Sequence, residues 1–362
     1  MFFMKRKISL SLRIAAVFFL CLSLQACSGP GRQDSGVPVQ TDAGRGSTGS
    51  GIAAKNSSLT DPAGAEAEAA SSSKAAGPDA AASADAAGHD TGSDQDDPFA
   101  LSSPEKAAAL SEKHGVRILC GEDIRQVYRD YTAAPLYEEE AVQDTLEVLD
   151  RTLSLYPPGF FPAIRAGFCD SVTICLARDL HAIDQASHLE SAHAFTTVQD
   201  DTIWIVLNAE EPVSPSTLIH EFTHAADYRL LAMHELQEAE WNHLNPPGFS
   251  YYNSYLDEEG LDLRISAGRE YTSFQESDLE GIWFYDPYSK TFAMEDRARL
   301  MEKLLENRAE GRPDLSLDRC FSSSHIQTKL RFYFYTLRQA FGSSSWPEQT
   351  VWEEVLSQCG SG

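Results

Sequence analysis

From Ser28 to about Pro98 the chain is built of Ala, Ser, Gly, Asp and Thr, with almost no large apolar side chain. Such a stretch cannot bury enough surface to offset the entropy lost on ordering. Any hydrophobic core must come from the roughly 260 residues that follow, enough for one large domain or two lobes. The low-complexity segment, 27–99, is expected to be a disordered linker. As a flexible coil of about seventy residues it would hold the folded part roughly 40–50 Å from its anchor. What precedes it predicts that anchor. Lys5-Arg6-Lys7 and the apolar run from Ile14 to Leu24 follow the order of a secretory leader, and the run is too short to span a bilayer comfortably. Leu24-Gln25-Ala26-Cys27 then reads as a lipobox. Residues 1–26 are expected to be a lipoprotein signal peptide and Cys27 the diacylated first residue of the mature chain. A plain secretory leader cut nearby is the alternative. Either reading puts the chain outside the cytoplasm, and a lipid on Cys27 would anchor it to the cell membrane.

The sequence has 29 basic and 54 acidic side chains, a formal net charge of −25. Lys5, Arg6, Lys7 and Arg13 belong to the leader, so the mature chain is more acidic still. Such a field disfavours nucleic acid and anionic lipid surfaces as partners. A mildly cationic peptide or protein is the electrostatic expectation for a substrate. Of seven cysteines, Cys21 and Cys27 fall in the leader and lipid site. Cys120, Cys169, Cys175, Cys320 and Cys359 remain. Cys320 with Cys359, or Cys169 with Cys175, are candidate disulfides, but spacing alone cannot fix the pairing. The sequence has no Cys-x-x-Cys, which argues against a structural zinc site of that type. Nor does a cysteine open a helix beside basic residues, as a thiol nucleophile would.

The chemistry-bearing motif is His220-Glu221-Phe222-Thr223-His224. On a helix, residues four apart lie one turn above each other, so both imidazoles can grip one Zn²⁺ from the same side. The glutamate between them is placed to take a proton from a water activated there. Ser214 is a candidate N-cap and Pro215 occupies the first helical position, where a missing N–H costs nothing. Ile219, Phe222, Ala226, Leu230 and Met233 share one side; His220, His224 and Asp227 share the other. The competing reading is two surface histidines on an ordinary helix.

A catalytic zinc needs a third protein ligand and one open position. The metzincin pattern wants Gly and His three and six residues beyond the second histidine; Asp227 and Leu230 stand there instead. Asp227 lies a turn beyond His224 and is expected to orient a ligand imidazole by hydrogen bonding. The third ligand is then a glutamate on a later helix, the gluzincin arrangement. Glu258-Glu259-Gly260-Leu261-Asp262 offers one choice but reads as a loop. Glu295 offers the other, at the first turn of a helix striped by Met294, Ala298, Met301 and Leu305. A helix holds a ligand more rigidly than a glycine loop, which favours Glu295.

His220-Glu221-Phe222-Thr223-His224-Ala225-Ala226-Asp227 resembles the His-Glu-Phe-Gly-His-Ala-Val-Asp stretch of the anthrax lethal factor catalytic domain. That group includes the secreted bacterial Pro-Pro endopeptidases. The family carries a tyrosine seven residues before its glutamate ligand, and Tyr288-Ser289-Lys290-Thr291-Phe292-Ala293-Met294-Glu295 is similar in spacing and residue type. The resemblance implies Glu295 as third ligand and Tyr288 as hydrogen-bond donor to the developing oxyanion. It covers residues 214–305. Thr223 replaces the family's glycine, and Asp296-Arg297 replaces a pair of aromatics, which questions the packing behind Glu295. The whole also looks like a set of uncharacterised bacterial lipoproteins grouped as zinc metallopeptidases.

The expected architecture is α+β and zincin-like over 100–362: an N-terminal part with a small sheet (100–212), then the motif helix and a helical C-terminal part (213–362). Helices are predicted at about 121–132, 138–155, 325–341 and 347–358. Strands are predicted at Val172–Leu176, Ala194–Val198 and Thr202–Leu207. Trp241–Tyr255 reads as an irregular loop walling the cleft. Trp283, Phe284 and Tyr285 read as core packing, and Lys329, Arg331 and Arg338 as a solvated face. His181, His188 and His193 fit no tight ligand pattern and read as loop residues. The sequence thus points to a membrane-anchored zinc metallopeptidase with one Zn²⁺ per chain: His220, His224 and Glu295 as ligands, Glu221 as base, Tyr288 as oxyanion donor. A catalytically inactive zincin-fold binding module is the alternative, and a solute-binding lipoprotein a third reading.

Overall fold

The computed structural model describes residues 102–183, 192–256, 263, 281–313, 315 and 317–359. The leader, the linker, Cys27, His188 and the Glu258–Asp262 segment lie outside them. The described residues form an α+β fold, one five-stranded mixed sheet with eight α-helices.

Helix α1 (Ser103–His114) opens on a capping box in which the Glu105 carboxylate accepts from the backbone N–H and the hydroxyl of Ser102. It closes at Gly115, whose φ of +70° favours glycine and whose Cβ, if present, would meet the Pro162 ring at 2.5 Å. Strand β1 (Arg117–Leu119) and strand β2 (Tyr131–Pro135) follow. Between them the predicted helix at 121–132 does not form. Ile124 and Tyr128 have helical spacing and are both buried, but the chain carries them on a short 3₁₀ turn at Gly121–Asp123 and a bend back into β2. Val127, which a helix would bury beside them, is exposed.

Helices α2 (Glu139–Leu153) and α3 (Phe160–Arg165) lead to strand β3 (Ser171–Ala182), strand β4 (Ala194–Gln199) and strand β5 (Thr202–Asn208). The spatial order is β1-β3-β5-β4, with β1, β3 and β5 parallel and β4 antiparallel to β5. Strand β2 runs antiparallel along the second half of β3. Asp200 and Asp201, both at positive φ, make the two-residue turn joining β4 to β5.

Alternation along the strands builds two cores. Ile174, Leu176, Ile203, Ile205 and Val198 face the helices, whereas Cys175, Ala177, Val206 and Phe195 face a smaller cluster with Tyr128 and Leu180. This separates Cys169, which packs toward the first core, from Cys175 in the second, and no disulfide joins them. Cys320 and Cys359 are likewise thiols, so neither candidate bridge forms.

Helix α4 (Pro215–Ala232) carries the motif and packs on helix α6 (Ala293–Ala309), with short helix α5 (Glu238–Asn242) between them in sequence. The predicted start is present: the Ser214 hydroxyl accepts from Ser216 N at 3.1 Å and Pro215 is at the first position. Helices α7 (Ser324–Phe341) and α8 (Val351–Gln358) complete the domain. Phe284 and Tyr285 are core residues, and Trp283 stacks on His325. Lys329 corrects the solvated-face expectation. It is fully buried because Asp296 on α6 waits for it, 2.8 Å from its ammonium.

Candidate metal centre

Helix α4 is buried on nearly every side; apart from Pro215 at its start, its partly exposed positions Thr217, His220, His224, Tyr228 and Leu231 form one stripe at helical spacing. That stripe carries both histidines of the motif. Glu295 meets it from the first turn of α6, seventy-five positions after His220. His220 Nε2 lies 3.0 Å from Glu295 Oε2 and 3.0 Å from His224 Nε2, and His224 Nε2 lies 3.4 Å from the same oxygen. Zinc bonded at about 2.0–2.1 Å in a tetrahedron spaces its ligands by roughly 3.3 Å. The triangle therefore fits a zinc ion, and two neutral imidazoles with one carboxylate are a fitting donor set. Among the described residues this is the cluster of donors close enough to hold a metal.

The carboxylates beside His220 favour positive charge at that point, whether a proton on the ring or a metal ion in its place. Burial disfavours a charged His220, but the carboxylates of Glu295 and Glu302 outweigh it and push its pKa up to about 10. Burial likewise opposes an ionised Glu295, yet His224 and His220 hold it well below the usual carboxylate range. Glu302 also stays ionised against burial, held at about 2 by His220 and Arg299.

Orientation of the imidazoles departs from expectation. Asp227 does not hydrogen-bond a ligand histidine. Its two oxygens are taken by Arg297 Nε at 2.6 Å and the Tyr333 hydroxyl at 2.8 Å, and both members of the ion pair are fully buried. Glu302 takes the orienting role: its Oε2 lies 3.1 Å from His220 Nδ1, which fixes that ring with Nε2 toward the site. It stands seven residues beyond Glu295, two turns along the same face, a spacing readable in the sequence. His224 Nδ1 is buried without a hydrogen bond.

The substitutions behind Glu295 have partners. Asp296 accepts from Lys329 and from the Tyr251 hydroxyl at 2.7 Å, and Tyr251 in turn accepts from Trp241 Nε1. Arg297 meets Asp227 and lies over the Trp241 ring at 5.2 Å. Buried charge pairs thus pack behind Glu295. Thr223 is accommodated as well, its hydroxyl returned to the Ile219 carbonyl at 2.8 Å.

Glu221 is aligned from the sheet. Thr196 on β4 shares a face with Val198 and so points to the helices; its hydroxyl lies 2.6 Å from Glu221 Oε2. Nothing in the sequence marks Thr196, because only the register of β4 on β5 sets which face it takes. Oε1 of Glu221 makes no hydrogen bond among the described residues.

Tyr288 occupies a 3₁₀ turn, Tyr288–Lys290, with its ring stacked 6.0 Å from that of His220. Burial, then Glu295, push its hydroxyl pKa well up, so the phenol stays a neutral donor. The turn is braced by Asp286, which accepts from Ser289 N at 2.9 Å and binds Arg299, and Arg299 in turn binds Glu302. One buried chain of charges therefore links the orienter of His220 to the loop that carries Tyr288. Tyr255, from the loop walling the cleft, donates to Glu295 Oε1 at 2.9 Å.

Compared with known proteins, the chain matches no family model, no curated sequence and no solved structure.

Proposed function

We propose that the protein is a zincin-like zinc metallopeptidase, held outside the cytoplasm by a lipid on Cys27, that hydrolyses peptide bonds. The observation that carries this reading is the convergence of His220 Nε2, His224 Nε2 and Glu295 Oε2 with Glu221 on the adjoining turn. The resemblance of residues 214–305 to the lethal factor group supports it. When bound, zinc supplies a Lewis acid that eases deprotonation of a water and polarises a carbonyl.

The remaining steps belong to the chain. Glu221, with Oε2 tethered by Thr196, keeps Oε1 to accept a proton from the attacking water and deliver it to the leaving amine. Tyr288, a neutral phenol, donates to the oxyanion, a contribution of a few kcal/mol when the donor is preorganised. Among the described residues β4 is the edge strand beside Glu221, and an extended peptide could pair along it. The acidic surface favours a cationic substrate. The changes after Glu295 that would favour a binding-only module are matched by Lys329 and Asp227, so they do not count against catalysis.

Elemental analysis should find one zinc per chain, and a diverse peptide library should be cleaved. Glu221→Gln should keep the metal and lower cleavage by about 100-fold or more. Undiminished cleavage by that variant would remove Glu221 as the base.

A further inference from the structure

The two oxygens of Glu295 are divided between different partners. Oε2 faces both imidazoles, at 3.0 Å from His220 Nε2 and 3.4 Å from His224 Nε2. Oε1 is turned away and accepts the Tyr255 hydroxyl at 2.9 Å. Tyr255 comes from the segment after α5, and that segment is stitched to the approach of α6. Tyr252 N donates to the Lys290 carbonyl at 3.1 Å and Asn253 N to the Thr291 carbonyl at 2.8 Å. The Tyr255 ring packs edge-on against Phe292 at 4.9 Å and lies 6.1 Å from the Tyr288 ring. Backbone and rings therefore fix the phenol beside the carboxylate.

A carboxylate can bind a metal through one oxygen or two. Binding through two fills a coordination position and moves a four-coordinate centre toward five. A phenol that occupies one oxygen and sets the rotation of the carboxylate plane works against that change. We propose that Tyr255 is a positioning residue that restricts Glu295 to a single ligating oxygen and so keeps open the coordination position meant for water. This rests on the zinc reading of the site and adds to it.

The test uses the full chain loaded with Co²⁺, whose visible absorption is strong when four-coordinate and weaker when five-coordinate. Zinc affinity is measured alongside, by competition with a chromophoric chelator. Wild type should give the strong four-coordinate bands. Tyr255→Phe should give the weaker bands and bind zinc about 10–100-fold less tightly, as for other losses of a partner to a metal ligand. The thermal midpoint of its metal-free form should equal that of wild type. Wild-type spectrum and affinity in Tyr255→Phe overturn the proposal. So does a fall in the metal-free midpoint that accounts for the affinity loss, because Tyr255 then only holds the loop. Failure of wild type to bind one equivalent of either ion is a different result: it rejects the metal centre and the inference with it.

Discussion

Helices α4 and α6 meet along two regions of opposite electrostatic design. At the front, His220, His224 and Glu295 bring three electron-pair donors within 3.4 Å of one another, with no fixed cation between them. At the rear, Asp227 meets Arg297 and Asp296 meets Lys329, each charge fully buried against its opposite. On the proposed reading the front is completed by an ion from outside; at the rear the chain itself pairs the charges, although both Nη atoms of Arg297 and Oδ1 of Asp296 are buried without a hydrogen bond. Burying a charge is tolerable only when it is paired. If the front binds a metal, the difference separates residues kept for chemistry from residues kept for packing, with Asp227 and His224 one turn apart on the same helix.

The largest expected effect tests the rear. Asp227→Ala leaves Arg297 buried without its carboxylate and should cost about 3–5 kcal/mol in denaturant unfolding. Replacing the pair together, Asp227→Leu with Arg297→Met, should recover most of that loss. If the double variant is as unstable as the single one, the pair is not merely structural and the contrast breaks. At the front, Glu295→Gln should abolish stoichiometric zinc binding in elemental analysis. The same change should leave the metal-free unfolding midpoint within a few degrees of wild type. A large fall in that midpoint would place Glu295 with the packing residues.

Smaller effects sharpen the contrast. Thr196→Val removes the hydroxyl that aligns Glu221. It should lower kcat on a cleaved peptide by about tenfold, a fraction of what the base supplies, with KM and zinc content unchanged and Thr196→Ser close to wild type. A rise in KM alone would instead make Thr196 a substrate contact. The smallest effect is expected far from both regions, at Glu353 on α8, which caps Thr350 and pairs with Arg338. Burial works against its charge, but Arg338 and Thr350 hold its pKa below the ordinary value. Its stabilisation is therefore present above that ordinary value, about 4.3, and lost as pH falls through the lower folded one. Glu353→Gln should lower the thermal midpoint slightly at neutral pH, and the difference from wild type should vanish in acid.

Local patterns were legible. Ser214 and Pro215 mark the start of α4, and β-branched runs mark β4 and β5 near their observed bounds, but only the first half of β3, which runs on to Ala182. Failures arose where a local pattern had two tertiary solutions. Ile124 and Tyr128 have helical spacing, but an extended turn buries them equally well. Lys329 reads as a surface cation until Asp296 is found behind it. Asp227 reads as the partner of a histidine until Arg297 arrives from a helix seventy positions away.

The sequence by itself determined which side chains share a face of α4, because the helical repeat is set by backbone hydrogen bonds between near neighbours. It also placed Glu295 and Glu302 on one face of α6 by the same rule. The tertiary structure alone decided which of those faces meet, that Glu302 rather than Asp227 orients His220, and that Thr196 and Tyr255 reach Glu221 and Glu295. Those contacts join residues 25 to 82 positions apart. Their geometry follows from how sheet and helices pack, to which no local repeat in the chain is sensitive.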